Sequence, residues 1–576
     1  MGSGNWKPEP SNGLWNDGVN WDGGTVPTAS ATFGKSTVTS VGFADTSAAK
    51  IQSIEFGPDA DAYTFSIHVL STTPALTIGG AGIVNQSTKI QNFVVASQGT
   101  YNQPQLKFVG SASAGSDLVS YYAGPTSLEG SFGGGTIEFC DDATGGSAHF
   151  VSRTGKVAPP NDNSTLGGQI VFRDRTTAGK ATFSIWGTLG TDGDTFGNAV
   201  FHHTASADHA TFTNHGGTVP GGDGGNTQFY DTSSAAHGLY LNHGGTAHDS
   251  KLGGANGGDV AFDGNATGGH GHFNNYPATM SGANGGVTSF NNNPNYPALQ
   301  NAGASAGNGC YLNFGATAES PGGGGHTELT ARYGFSTAGQ GTFYNFGSAL
   351  SESWTAGHTI FAIKPPNEFF PSAGNGTFWN LPGAAGGYTV FQSYGDGTPN
   401  QNPTAATGTF HNLGGDGADQ QGGYTRFRNT STAQNGTLIS YSGVNGGPGG
   451  ATLFEDGSQG DGAHVQLIGN GALDLTGHHG ALTIGTLGIA SGVLRILLGT
   501  HTTTLVVSNP VQLSSGIVTL DLSFPKGETF VDGQQYDVLQ APNLSAYSAS
   551  QFTANKIGTA EPVITIDGST LKVAYG

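Results

Sequence analysis

The chain has 576 residues, of which 99 are glycine, while Asp, Glu, Lys and Arg together reach only 10%. That glycine load excludes a helical protein, since each glycine inside a helix costs about 1 kcal/mol relative to alanine. Collagen is excluded because no strict Gly-X-Y period runs through the sequence. Disorder is the stronger rival, but 33 Phe, 18 Tyr and 6 Trp are spread along the chain, which points to a turn-rich all-β protein.

With 39 acidic and 19 basic residues the formal net charge is −20, so neither nucleic acid nor an anionic membrane is an expected partner. No apolar window approaches 18 residues, and Ile489–Leu498, the best, contains Arg495; no membrane insertion by this chain is expected. The opening Met-Gly-Ser-Gly has no basic start leading into an apolar core, so it does not read as a signal peptide. Cys140 and Cys310 are the only cysteines, too few for a disulfide framework or a thiolate metal site. They lie several repeats apart and are expected not to bond each other.

Residues 1–60 hold Trp6, Trp15 and Trp21, half of all tryptophans, and read as an N-terminal cap module. From 61 to 480 the chain reads as a glycine-rich repeat region. Its clearest copies are Ile170-Val-Phe172-Arg-Asp174, Ala210-Thr-Phe212-Thr-Asn214, Thr227-Gln-Phe229-Tyr-Asp231, Gly271-His-Phe273-Asn-Asn275 and Thr288-Ser-Phe290-Asn-Asn292. Gly341-Thr-Phe343-Tyr-Asn345, Gly376-Thr-Phe378-Trp-Asn380, Gly408-Thr-Phe410-His-Asn412, Thr425-Arg-Phe427-Arg-Asn429 and Thr452-Leu-Phe454-Glu-Asp456 continue it. Looser relatives place Leu241, Leu312, Leu329 and Leu438 at the anchor. Steps of 11 and 18 residues alternate from Phe172 to Phe183 to Phe201, giving a unit of about 29 residues with two short strands.

A propeller blade needs about 40 residues and four strands, so a parallel β-solenoid fits better. Phe172, Phe212, Phe229, Phe273, Phe343, Phe378, Phe410 and Phe427 are expected to point inward in aligned stacks. The Asn or Asp two residues later is expected to be structural, bonding turn backbone or its own copies in neighbouring coils. Residues 481–576, richer in Ile, Leu and Val, show strand alternation in Gly516-Ile-Val-Thr-Leu-Asp-Leu-Ser523 and read as a C-terminal β cap.

Gly13-Leu-Trp15-Asn-Asp-Gly-Val-Asn-Trp21-Asp-Gly-Gly-Thr-Val-Pro27 with Ala29-Ser-Ala-Thr-Phe33 resembles the opening module of autotransporter-like passenger proteins. Gly533-Gln-Gln-Tyr536-Asp-Val-Leu-Gln540 and Val563-Ile-Thr-Ile-Asp-Gly-Ser-Thr-Leu-Lys-Val573 resemble their closing strands, and the middle resembles autotransporter-associated β-strand repeats. The resemblance implies a right-handed parallel β-helix at the bacterial surface or outside the cell. No translocating β-barrel follows Gly576, so a detached passenger, a protein that has lost its sorting tail or a truncated form is expected.

Candidate chemistry is sparse. Asp141-Asp142 and Gly269-His270-Gly271 echo the polygalacturonase signature but lie 128 residues apart, with neither Asn-Thr-Asp nor Arg-x-Lys beside them. Glycoside hydrolysis needs two carboxylates facing one bond, and no acidic stripe guarantees that. Arg173-Asp174-Arg175 and Arg426-x-Arg428 are the basic candidates for a lyase. Among 18 histidines, His270 and His272 share a strand face, yet no third metal ligand is evident. Asp192-Gly-Asp194 and Asp223-Gly-Gly lack the spacing of calcium-binding β-rolls; no cofactor is expected, weak calcium binding being the one left open. The residue between Phe and Asn/Asp should face outward, which nominates Tyr230, Tyr344 and Trp379 as a surface for sugar rings or a protein. The expectation is a non-enzymatic surface or secreted scaffold, an adhesin or fibre former. Its partners would be further copies of itself or a host or matrix surface, carbohydrate included. The alternative is a polysaccharide-degrading β-helix enzyme, a lyase or glycoside hydrolase.

Overall fold

The computed structural model describes residues 2–43, 48–68, 75–97, 104–129, 133–156, 167–190, 195–291, 303–331, 334–363, 369–393, 402–499, 502–514 and 516–576. They fall into two compact units, Met1–Thr288 and Ser289–Gly576. Each is a parallel β-solenoid.

In the first unit one ladder stacks Ser30–Phe33, Ala49–Phe56, Leu76–Asn85, Gln105–Phe108, Thr136–Phe139, Gln169–Phe172, Asn198–Phe201, Asn226–Phe229 and Asp259–Phe262, all parallel. A second ladder stacks Ser40–Gly42, Thr64–Ile67, Gln91–Val95, Val119–Ala123, His149–Ser152, Thr182–Ile185, Thr211–Asn214, Leu239–Asn242 and His272–Asn275. Between them, single-residue bridges stack Ser113, Thr144, Thr177, Ser206, Ser234 and Thr267. A coil therefore has three sides rather than the two strands that the spacing suggests. One bridging residue is too short to produce any periodicity.

That narrow side is built from a repeated turn. The Thr144 and Thr177 hydroxyls accept the N–H groups of Gly146 and Gly179 at 3.1 and 3.0 Å, and those glycines have φ of +62° and +66°. Small side chains flank it on the inside, as at Ala205 and Ala207, both fully buried. They leave room for the rings of the two ladders.

The rings form two columns. Phe139, Phe172, Phe201, Phe229 and Phe262 stack at 4.6–4.9 Å between centroids, and Phe150, Phe183, Phe212, Tyr240 and Phe273 at 4.4–5.0 Å. The columns meet edge to face, Phe172 against Phe183 at 6.0 Å. Each such contact adds about 0.5–1.5 kcal/mol beyond burial. Tyr240 stands where Leu241 was expected, so the anchor at that copy is one residue earlier.

The second unit repeats the plan. Its first ladder runs His326–Ala331, His358–Ile363, Tyr388–Ser393, Tyr424–Phe427, Ala451–Asp456, Ala472–His478, Gly492–Leu497, Val518–Ser523 and Phe552–Ala554. The second runs Cys310–Asn313, Thr342–Asn345, Thr377–Asn380, Thr409–Asn412, Thr437–Ser440, His464–Ile468, Thr486–Ala490 and Gln512–Leu513. Tyr311, Phe343, Phe378 and Phe410 make one ring column and Phe361, Phe391, Phe427 and Phe454 the other. Tyr311, not Leu312, is the anchor of its copy.

The ends differ from the middle in composition. Trp6, Trp15 and Trp21 are 3%, 0% and 0% exposed and pack edge to face on one another and around Phe33. Parallel pairing already begins inside residues 1–60. It also continues past 480: Leu473, Leu494 and Leu520 follow Thr452 in the position that the buried threonine holds earlier. The change to Ile, Leu and Val thus marks a different filling of the same coil. At the C-terminal end Pro562–Asp567 and Thr570–Tyr575 turn antiparallel, closing against Gln535–Gln540. Among the described residues no helix is long and apolar enough to cross a membrane.

Candidate functional site

The Phe-x-Asn/Asp motif resolves into two devices, because the two ladders end differently. On the second ladder the strand alternation carries through, so Asn214, Asn242, Asn275, Asn313, Asn345, Asn380 and Asn412 point inward and are fully buried. Their amides bond coil to coil. The Asn214 Nδ2–H donates to Asn242 Oδ1 at 2.8 Å and Asn242 to Asn275 at 2.8 Å. In the second unit Asn313, Asn345, Asn380 and Asn412 continue in the same sense at 2.8–2.9 Å. A buried threonine two residues before the first-ladder ring completes each site, Thr227 donating to Asn214, Thr389 to Asn380 and Thr425 to Asn412.

On the first ladder the chain turns immediately after the ring. Asp141, Asp174, Asp231, Asn429 and Asp456 have φ of +56 to +61°, a region that short polar side chains tolerate. The four aspartate carboxylates accept the equivalent backbone N–H of the preceding coil: Gly110 to Asp141 at 2.8 Å, Asp141 to Asp174 at 3.0 Å, His203 to Asp231 at 2.8 Å and Asn429 to Asp456 at 3.0 Å. The Asp141 N–H bond holds the Asp174 carboxyl below its ordinary range, aided by His203.

The nominated aromatics are placed as follows. Tyr230 follows the ring at the turn, is 8% exposed and stacks on His202 at 5.2 Å. Its burial leaves little of the ring open to an outside partner. Tyr344 and Trp379 lie on the second-ladder outer face, half-buried. Tyr344 stacks on Trp379 at 6.5 Å and Trp379 on His411 at 3.9 Å, all within 10° of parallel. The faces of the Trp379 ring point at neighbouring coils, so its edge is what solvent meets. A flat sugar-stacking platform needs the face.

The arginines and carboxylates are engaged with one another. Glu138 bridges Lys107 and Arg173 at 2.9 and 2.8 Å; burial works to raise its carboxyl, and the two cations outweigh that and leave it lowered. Arg175 grips both oxygens of Asp142 at 2.8 Å. Arg426 and Arg428 close on the two oxygens of Glu455 at 2.8 and 3.1 Å. Asp142 and His270 are not brought together by any contact, and Asp141 is occupied by the Gly110 N–H. Cys140 and Cys310 are free thiols, one in each unit, and burial pushes both up.

Histidines form columns that sequence spacing hid. His326, His358, Tyr388 and Tyr424 stack at 4.7–5.1 Å, and desolvation pushes His326 down to about 4 and His358 to about 3. Trp186, His215, His243 and Tyr276 form another, with His215 lowered by burial to about 4. His209, His237 and His270 make a third, at 5.1 Å spacing and exposed. Asp192 and Asp194 lie outside the described residues. Asp223 accepts the Asn256 amide at 2.7 Å, and Asn256 accepts that of Asn284 at 2.8 Å, a surface counterpart of the buried ladder.

No protein-family model and no curated protein matches the sequence. Among solved structures, the chain is similar to the Haemophilus influenzae Hap adhesin, with a TM-score of 0.27 and 10% identity over 95% of this chain and 64% of that one. This chain therefore spans less than two thirds of the length of that structure.

Proposed function

We propose that the protein is a non-catalytic structural scaffold of the bacterial surface or extracellular space. It would work as an adhesin-like or self-associating β-helix, meeting a host or matrix surface or further copies of itself. One observation supports this reading above the others: the polar residues that recur from coil to coil are spent on stacking. The Asn ladder, the left-handed Asp turns and the Ser/Thr turns all bond the neighbouring coil or their own turn. The Arg–Glu clamps do the same on the outside. A hydrolase or lyase needs a carboxylate or basic group whose partner is the substrate. The sequence resemblance to passenger modules points to the same setting.

The deciding experiment incubates the purified chain with pectin, alginate and a panel of neutral polysaccharides, then follows reducing ends and unsaturated products. Binding without turnover is the expected outcome. Turnover that one carboxylate substitution abolishes would replace this reading with an enzymatic one. Electron microscopy of the same preparation distinguishes a monomeric adhesin from a self-associating one.

A further inference from the structure

We propose that a cavity of about 580 Å³ among the loops of the first unit is a binding site for a free aliphatic carboxylate, an acyl chain of medium length with its anionic head on Lys156. The cavity lies on the side of the coil that leads from the second ladder back to the first. Lys156, Leu189, Val219, Pro220, Gly221 and Leu252 line it. They follow the strands His149–Ser152, Thr182–Ile185, Thr211–Asn214 and Leu239–Asn242 in turn, so four consecutive coils contribute to one wall. With strands about 4.8 Å apart, that wall runs about 14 Å along the stacking direction. Its volume is that of a small-molecule site.

The loops are built to hold apolar groups here. Leu252 tips a short hairpin in which His248–Asp249 pairs antiparallel with Gly253–Gly254. The Asp249 carboxylate accepts the Lys251 and Leu252 N–H groups at 2.9 and 2.6 Å, and Gly253 turns the chain at φ +82°. The hairpin keeps Leu252 62% exposed, a large apolar side chain that the coil core does not use. A Cβ at Gly221 would meet the Leu252 carbonyl oxygen at 2.8 Å, so glycine there lets the Leu252 loop close up on the Val219 loop. Leu189 is 9% exposed and forms the deep part of the wall.

The chemistry of the wall selects its occupant. Among the described residues that line the cavity only Lys156 has a polar side chain. A sugar needs several placed donors and acceptors; an acyl chain needs none, and each methylene it buries adds to affinity. Lys156 belongs to the first of the four coils, at one end of the wall, and its exposed ammonium pairs with the exposed Glu129 carboxylate at 2.7 Å. Such a surface pair contributes little, so a carboxylate held by its chain takes the place of Glu129 as the lysine's partner. The apolar wall supplies the affinity and Lys156 the preference for an anionic head.

Titration calorimetry of the full chain with monomeric sodium decanoate at pH 8 tests the site, with decanol as the neutral comparison. One equivalent of decanoate with micromolar affinity is expected, and weaker binding of decanol. L252D, which sets a carboxylate against the chain, should weaken decanoate about tenfold. V531D, at an exposed valine of the second unit, should leave it unchanged. K156M should bring decanoate down to the level of decanol without affecting decanol, and E129Q, which frees the lysine, should tighten decanoate. Circular dichroism confirms that the variants are folded. The proposal is overturned if the wild-type chain takes up no equivalent of decanoate, if L252D binds like wild type, or if K156M leaves the preference over decanol intact. A dimer that L252D dissolves, with no decanoate uptake, would give the wall to a second copy and overturn it too, as would uptake only from anionic phospholipid vesicles.

Discussion

Replacing Asn380 by alanine removes one rung of the buried amide ladder. Its Nδ2 donates to Asn412 Oδ1 at 2.8 Å and to Thr425 Oγ1 at 3.2 Å, and its Oδ1 accepts from Asn345 at 2.8 Å and Thr389 at 3.0 Å. Four bonds are lost, each worth about 1 kcal/mol net. The partners are not wholly orphaned: Asn345 keeps Thr389 at 3.2 Å and Asn412 keeps Thr425 at 2.9 Å. The expected cost is therefore about 3 kcal/mol, with the small void of the lost amide included. Asn375, exposed on the same coil, is the control, and N375A should stay within about 0.5 kcal/mol of wild type. Coil arrays open locally, so native-state hydrogen exchange is the suitable assay, read at Thr377–Asn380 and Thr409–Asn412. Equal loss of protection in N380A and N375A would refute the ladder as a source of stability. N380D should be worse than N380A at neutral pH, because a buried carboxylate can accept but not donate.

Ala406 sits at φ +49° in the narrow-side turn, so A406G should stabilise its coil by about 1 kcal/mol, seen as slower local exchange; destabilisation would contradict the strain argument. A Cβ at Gly423 would run into the Asn380 carbonyl oxygen, so G423A should cost more than about 2 kcal/mol and lower the thermal midpoint well below that of A406G. His326 and His358 have folded pKa values of about 4 and about 3, below the ordinary imidazole value. The unfolded chain then binds more protons, and their contribution is present above about pH 6.5 and lost as pH falls toward 3. H358F, which keeps the stack on Tyr388, should flatten the fall in unfolding midpoint between pH 6.5 and 4; an unchanged slope would count against it.

The fold was legible because in-register rings recur whatever the loops do: Phe172 to Phe201 and Phe212 to Tyr240 are both one coil. The motif nevertheless merged Asp174 with Asn214, since sequence spacing does not register a φ of +58° against an extended strand. Tyr230 is buried because the neighbouring coil sets His202 against it, a contact that sequence spacing does not register. The narrow third side was invisible, its only signal being a Ser or Thr beside small residues, as in Ala205-Ser206-Ala207. His237 could not be joined to His270 from the sequence, because they lie 33 positions apart with a loop of variable length between them.

The two kinds of coil filling bear on how the chain finds its alignment. Within the second unit, sliding one coil past its neighbour would still set Phe343 on Phe410 and Asn345 on Asn412, with threonine on threonine. Such an error forfeits little energy at the point where it happens. Copies this alike supply cohesion but not address. Address comes from what is unlike: the coils filled by Leu473, Leu494 and Leu520 and the antiparallel hairpin at 562–575 in this unit, and the tryptophan cluster around Phe33 in the other. A slipped chain would reach those landmarks one coil out, with apolar side chains uncovered and a strand edge unpaired. Where the ends are damaged, the middle should still form ladders, but in a mixture of alignments.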